Sequence, residues 1–376
     1  MFNPMKHVKH MRAKKQKPKA LGSHIFAGGF TIGIKEHFDV VAHLENGHYG
    51  VETVRKNFPE LPVYTNKAMW PVYDDNLKGI PLIYGNPACA AWSQAGYTNS
   101  RGTDKWRTDP RLQQTLDHFE LLEILQPDIW CWESVVLAYK KGHEFVKELE
   151  ARAKALGYSV TYFFHDTQWL GLPQVRKRFM MICHRVELEL PMHNWAPAPE
   201  PLEVMQEAAQ AGYNRPSEPQ TAVQRRWTKA KLKAVPPGGS LRKHWEGENP
   251  LGRRIVKADG KIQGRPSFGL RRLPVGKPGG GVVGYSLVHP TEDRWISTQE
   301  MQLLSGFPLD YQFAPSRPEA VEDEIARGVC PPVGAYLGKA FAFALERNKR
   351  LSTSIVREVD YRRPPLADES LITILP

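Results

Sequence analysis

The sequence predicts an α/β chain, with a doubly wound sheet domain interrupted by a smaller, basic, loop-rich module. Three observations carry this expectation. From about residue 21, short apolar runs alternate with amphipathic stretches, as parallel strands alternate with crossover helices. Six prolines between 191 and 219 then break the rhythm. Residues 222–277 hold fifteen Lys/Arg against three acids and are rich in Gly and Pro.

Taken in order, residues 24–27 read as a first strand, followed by Gly28-Gly29 and a helix to about Glu36. Residues 39–44 are a second strand ending on Glu45, and 50–57 a helix. Residues 80–84 are a third strand that stops at Gly85-Asn86-Pro87. Leu116, Phe119, Leu122 and Leu125 fall at helical spacing within 112–125, before a strand at 128–132. A helix over 142–156 and strands near 160–164 and 179–183 complete the series. Beyond it, 202–211 reads as one short helix. Ser297 stands three before Glu300, a capping box for a helix to about Ser305, and 338–347 is a final helix.

Charge and cysteines narrow the function classes. Net charge is +11, yet residues 1–20 hold seven Lys/Arg without an acid, and 222–277 hold an excess of +12. The remaining chain is therefore net acidic, at about −8. The N-terminal run reads as a solvated tail. In 222–277, Trp227, Trp245 and Phe268 are interleaved with the cations, a composition suited to nucleic acid. No apolar run approaches the roughly 20 residues that span a bilayer, and no secretory signal is evident, so a cytoplasmic, non-membrane protein is expected. The four cysteines form no Cys-x-x-Cys pair, so neither a disulfide framework nor a bound metal is expected.

One cysteine has a setting for chemistry. Cys89 follows the third strand on a Gly/Pro-shaped turn, where such sheets place ligands, although a lone Cys is also a common buried hydrophobe. Glu45 lies seventeen residues past Gly28, at the spacing of an acid that binds ribose hydroxyls; the glycine turn alone also fits any βα connection. Glu133 follows the 128–132 strand. Arg176 and Arg178 are two apart and share a side of an extended strand. Glu133 with Arg178 also reads as a buried ion pair, and both arginines as plain phosphate contacts.

In this order the motifs resemble the DNA cytosine-5 methyltransferase family over roughly residues 23–345. Phe26, Ala27, Gly28, Gly29 and Gly33 lie in a stretch similar to its first cofactor motif. Pro87-Ala88-Cys89 resembles its Pro-Pro-Cys loop, and Glu133-Ser134-Val135 its Glu-Asn-Val. Gln174-Val175-Arg176-Lys177-Arg178 matches its Gln-x-Arg-x-Arg, while 289–311 and 326–333 resemble its ninth and tenth motifs. The cofactor turn is two residues shorter than usual, Asn66 is the nearest candidate for an adenine-binding aspartate, and Ala326-Arg327 stands where Gly-Asn is usual.

The resemblance implies a Rossmann-like S-adenosylmethionine-dependent methyltransferase domain over 22–190 and 290–345. It also implies a target-recognition domain over 191–289, with tails at 1–21 and 346–376. It further implies S-adenosyl-L-methionine as cofactor, held by Phe26, Ala27, Gly28, Gly29, Gly33, Glu45, Asn66 and Pro87. Double-stranded DNA would be met by Ser93, Gln174, Arg225, Arg226, Lys229, Arg253, Arg254, Arg271 and Arg272, with the protein acting as a monomer. Cys89 would add to carbon 6 of a flipped-out cytosine, with Glu133 at ring nitrogen 3 and Arg176 and Arg178 on the base oxygen and nearby phosphate. Two alternatives stay open: a tRNA substrate, or a DNA-binding relative impaired in catalysis.

Overall fold

Two faces of side chains alternate along one central sheet, and this alternation decides where the chemistry sits. The computed structural model describes residues 16–45, 50–92, 105–191, 198–210, 224–226, 228–241, 255–256, 262–263, 270–276 and 287–351. Ser93, Trp227, Trp245, Arg253, Arg254 and Phe268 lie outside the described residues, as do the side chains of Arg226 and Arg271.

The sheet contains β1 (Lys19–Ser23), β2 (Asp39–Leu44), β3 (Val63–Tyr64), β4 (Leu82–Gly85), β5 (Ile129–Val135), β6 (Ser159–Asp166) and β7 (Lys177–His184). Its order is β3-β2-β1-β4-β5-β7-β6, with β7 antiparallel to both neighbours. The helices are α1 (Gly29–Ile34), α2 (Val51–Asn57), α3 (Leu112–Leu125), α4 (Val136–Lys141), α5 (His143–Ala155), α6 (Pro201–Gln210), α7 (Lys229–Lys233), α8 (Thr298–Leu304), α9 (Pro318–Arg327) and α10 (Pro331–Leu351). Short strands β8 (Ser240–Leu241), β11 (Leu270–Arg272) and β12 (Leu287–Val288) form a three-stranded sheet, and β9 (Ile255–Val256) pairs with β10 (Ile262–Gln263).

Because side chains alternate along a strand, Tyr84, Cys131, Met180 and Ile182 pack with Phe30, Ile34 and Phe341 of α1 and α10. Ile83, Trp130, Trp132 and Met181 face the other way, against Phe119, Leu122, Phe145 and Leu149 of α3 and α5. The α1–α10 contact is backbone to backbone. A Cβ on Gly33 would fall far inside contact with the Ala335 amide and the Pro331 carbonyl, and one on Gly334 would meet the Phe30 carbonyl. The stretch Pro318–Asn348 is apolar and long enough to cross a membrane by composition, but 67% of its most apolar window is buried inside the protein.

Several expectations shift. The first strand is Lys19–Ser23, not 24–27, because His24 and Phe26 take left-handed φ values of 54° and 55° that cannot continue a strand. The expected tail 1–21 therefore contributes to the sheet from Lys19 onward. The final helix begins at Pro331, seven residues earlier than expected, since proline is tolerated in a first helical turn. Helix α6, expected within the inserted module, packs on α8 and sends Met205 into the main core. The Ser297–Glu300 capping box forms with both of its hydrogen bonds.

Candidate active site

The carboxyl edge of β4 and β5 gathers the charged groups. Gly85 pairs with Trp132, so the next residue, Asn86, stands beside Glu133 across the parallel ladder. Asn86 Nδ2 donates to Glu133 Oε2 at 2.5 Å. On the other flank Val135 opposes Arg178 and Glu133 opposes Met180, which sets Arg178 diagonally from Glu133 on the same face. Arg178 Nε lies 3.0 Å from Glu133 Oε1, yet Oε1 has no aligned hydrogen-bond donor among the described residues. One oxygen of a 3%-exposed carboxylate thus keeps capacity for a further donor. Burial pushes the Glu133 carboxyl above its usual range, while Arg178, Arg176 and Asn86 hold it down.

Cys89 opens a single 3₁₀ turn, Cys89–Ala91, just beyond β4 and is half-buried, whereas the other three cysteines are buried. Burial raises its thiol above the ordinary value. Arg178 and then Arg176 act to lower it, and Glu133 acts against them. The nucleophile candidate therefore sits within the electrostatic reach of Glu133, Arg176 and Arg178. The Ala88 amide, just before it, donates to Gln114 Oε1 at 3.0 Å.

Arg176 is 5% exposed and built into the floor. Its amide donates to Asp166 Oδ1 at 3.0 Å, and its Nη2 donates to the Gly328 carbonyl at 2.5 Å. Its Nη1 is buried without a partner among the described residues. An unsatisfied buried guanidinium donor is costly, and an oxygen of a bound substrate is the ligand it suits. Gln174, expected on nucleic acid, is instead fully buried and donates to the Leu304 carbonyl at 2.9 Å, tying this loop to α8. From there it braces the arginine strand from within.

The cofactor-side residues collect at the carboxyl ends of β1 and β2. The shortened turn is accommodated by left-handed His24, Phe26 and Gly28. Glu45 accepts the Ile25 amide at 2.7 Å through Oε1, and burial pushes its carboxyl up to about 8 against the pull of that amide. Trp70 Nε1 donates to the Glu45 carbonyl at 3.0 Å, and His24 stacks edge-on against Trp70. His24 Nε2 is buried without a partner among the described residues. An acid, an indole and an open imidazole nitrogen suit a donor bearing ribose and an aromatic base, so these residues fit an adenosine-type cofactor. Pro87 is buried beside this edge.

The glycines are explained differently. Side chains at Gly28 and Gly29 would collide with Tyr311 and Phe307, and the Ala27 carbonyl accepts the Tyr311 hydroxyl. Gly33 is packed against α10, where a side chain would meet the Ala335 amide and the Pro331 carbonyl. Asn66 is exposed and caps the 3₁₀ turn Lys67–Met69, accepting the Ala68 amide at 3.0 Å.

In the basic module, Arg225 and Lys229 are exposed, as a nucleic-acid surface requires. Arg272 is not. It is 5% exposed, and all five of its N–H groups are directed inward: to the carbonyls of Val235, Leu232, His289 and Glu292 and to Asp293 Oδ1, at 2.7–3.0 Å. These bonds clamp α7 to the 289–293 segment. Arg272→Met should cost about 3–5 kcal/mol by leaving buried carbonyls unpaired, lowering Tm by roughly 5–10 °C. The slope of DNA affinity against salt should not change, because no phosphate contact is lost; a slope smaller by about one would restore the DNA role.

Asn86, Asp166 and Trp70 were not singled out by sequence. Asn86 beside a proline reads as a turn former, Asp166 as an ordinary strand end, and Trp70 gives no local signal. Their roles come from pairing partners 20 or more residues away in Glu133 and Glu45, and across the 166–176 loop for Asp166.

Comparison with known proteins gives a consistent result. Residues 25–342 match the C-5 cytosine-specific DNA methylase family. The Type II methyltransferase M.NgoPII of Neisseria gonorrhoeae is 29% identical over 165 residues, 43% of this chain and 47% of that protein. The chain thus spans about half the length of this curated relative. The Type II methylase M.HgiDII of Herpetosiphon aurantiacus is 24% identical over 347 residues, covering 85% of this chain and 92% of its own. In fold, the chain is similar to a protein described as a prophage-encoded DNA modification methyltransferase of E. coli, with TM-score 0.61 and 16% identity. That match covers 88% of this chain and all of the other.

Proposed function

The chain belongs to the C-5 cytosine-specific DNA methylase family, and from that premise we propose that it methylates carbon 5 of cytosine in duplex DNA through a covalent Cys89 adduct. The observation that carries this reading is the convergence of Cys89, Glu133, Arg176 and Arg178 on one sheet edge, with Glu133 gripped by Asn86 on one side and Arg178 on the other.

Each residue then has a chemical task. Carbon 5 of cytosine is unreactive until a nucleophile adds to carbon 6, and a thiolate is suited to that attack. Arg178 and Arg176 favour the thiolate of Cys89. The Cys89 sulfur bonds to carbon 6 while ring nitrogen 3 takes a proton or strong hydrogen bond from Glu133, whose raised carboxyl is suited to sharing one. The open Nη1 of Arg176 and the guanidinium of Arg178 are placed to meet the base oxygen or adjacent phosphate. Glu45, His24 and Trp70, with the backbone of the 26–29 turn, would hold S-adenosyl-L-methionine, which would supply an electrophilic methyl group to carbon 5. Loss of the carbon 5 proton to a base or water then expels the Cys89 thiolate. Because the target base must reach this enclosed edge, it leaves the helix first.

In this reading the region 191–289 recognises the target, with Arg225 and Lys229 on phosphates, and 290–345 returns to the catalytic domain. The protein works as a cytoplasmic monomer. A methyl-transfer assay with labelled donor, offering duplex DNA and tRNA separately, tests the substrate: label should enter duplex DNA. Label in tRNA alone transfers the same mechanism to RNA, and label in neither, with DNA binding intact, marks a catalytically impaired relative.

A further inference from the structure

The strand-to-turn connection that carries Cys89 is held at three points. The Asn86 amide bonds the Ser23 carbonyl at 3.4 Å, the Trp92 amide closes on the Cys89 carbonyl at 3.1 Å, and between them the Ala88 amide donates to Gln114 Oε1 at 3.0 Å. Pro87 has no N–H to offer. The middle tether therefore exists only because residue 88 is not proline, whereas the loop that this one resembles has proline at both positions.

The backbone at Ala88 makes the substitution informative. Its φ of −54° and ψ of 113° are values a proline would itself adopt, so alanine holds here, by a hydrogen bond, a conformation that a ring would fix covalently. Gln114 is well placed to be the anchor. It lies in the first turn of α3, whose Leu121, Leu122 and Phe119 are locked in the core. Arg111, one turn earlier, is braced on Asp109 through two side-chain bonds at 2.8 and 2.5 Å and is close enough to interact with Cys89 electrostatically.

We propose that Gln114 is a positioning residue for Cys89, acting through the Ala88 amide in place of the rigidity of a second proline. The inference rests on Cys89 being the nucleophile. Without the tether, the half-buried Ala88 N–H loses its acceptor and the turn can rotate about φ, moving the sulfur away from Arg178 and Arg176. Displacements of about 1 Å at a reacting atom cost on the order of 10²-fold.

The test is a cycle of four proteins: wild type, Gln114→Met, Ala88→Pro and the double variant. Two quantities are read: the single-turnover rate on duplex DNA, and the thiol pKa of Cys89 from the pH dependence of iodoacetamide alkylation. The other three cysteines are buried, so alkylation reports Cys89. Q114M should slow turnover by about 10- to 100-fold and raise the Cys89 pKa by about half a unit or more. In the A88P background, the same Q114M change should alter neither quantity by more than about twofold in rate or a tenth of a unit in pKa, because there is no N–H left to hold. Equal losses in both backgrounds, or no loss in either, would overturn the proposal. Gln114→Glu, which keeps the acceptor oxygen, should retain turnover far better than Q114M; equal losses from the two would also overturn it, even if A88P folds poorly. If methyl transfer is absent from every variant while the alkylation cycle keeps its coupling, the proposed activity fails and the positioning role stands.

Discussion

Replacement of Cys89 by alanine is expected to reduce methyl transfer by about 10⁴-fold or more while leaving DNA affinity within a few-fold of wild type. Removing a covalent nucleophile typically costs this much, because the residual groups orient the substrate but cannot open the lower-barrier route. The structure gives a reason to expect the loss to be confined to chemistry. Cys89 is half-buried on a turn whose backbone is held by Ser23 and Gln114, and among the described residues its side chain has no hydrogen bond that supports the fold. Thermal unfolding of Cys89→Ala should therefore match wild type to within about 2 °C, since no buried polar group loses a partner. A wild-type rate in the alanine variant, measured in a single turnover with saturating donor, would remove the sulfur from the reaction.

The second large effect is expected at Glu133. Glu133→Gln preserves size and keeps an oxygen opposite Asn86 or Arg178, but it abolishes the proton-sharing carboxyl. A loss of about 10²–10⁴-fold in kcat is expected, with KM changed little, because positioned acid–base groups contribute in that range and act mainly in the transition state. The environment also fixes a pH signature. Burial raises the Glu133 carboxyl and Arg178, Arg176 and Asn86 counteract it. Replacing Arg178 by methionine removes the largest counteracting charge, so the carboxyl should rise further. The same change removes the cation that most lowers the Cys89 thiol, so Cys89 should rise as well. Both limbs of the rate profile of Arg178→Met should thus move to higher pH, and unchanged limbs would show that Arg178 serves only as a structural ion pair.

Much of the catalytic domain was legible because its signals are local. The 39–44 strand, the 112–125 helix and the Ser297–Glu300 capping box depend on periodicity and caps, and they form where expected. The 24–27 strand was misplaced because Ile25-Phe26-Ala27 has the apolar texture of a strand. The deciding property is instead the left-handed backbone at His24 and Phe26, which no composition rule marks. Helix α9 was missed since its sequence is dominated by Glu and Asp, which read as solvated loop, whereas Glu322 and Glu324 are buried together with Ile325.

The charged residues of the site were found through motif order, but charge alone does not distinguish a ligand contact from an internal clamp. Arg272 and Gln174 read as nucleic-acid residues in sequence, whereas in the fold Gln174 donates to the Leu304 carbonyl and Arg272 to four backbone carbonyls and Asp293. Conversely, Asn86 and Gln114 look unremarkable in sequence, because their partners, Glu133 and Ala88, lie 47 and 26 residues away.

The central claim is that Cys89 forms a bond to the target base, and covalent capture on fluorinated DNA tests it most directly. Duplex DNA in which all cytosines are 5-fluorocytosine can accept sulfur at carbon 6 and methyl at carbon 5, but fluorine cannot leave as a proton does, so the adduct persists. With S-adenosyl-L-methionine present, the wild type should give a denaturant-resistant protein–DNA species whose modified peptide contains Cys89, and Cys89→Ala should give none. An adduct of equal yield with Cys89→Ala, or none with a wild type that methylates ordinary duplex DNA, would contradict the account.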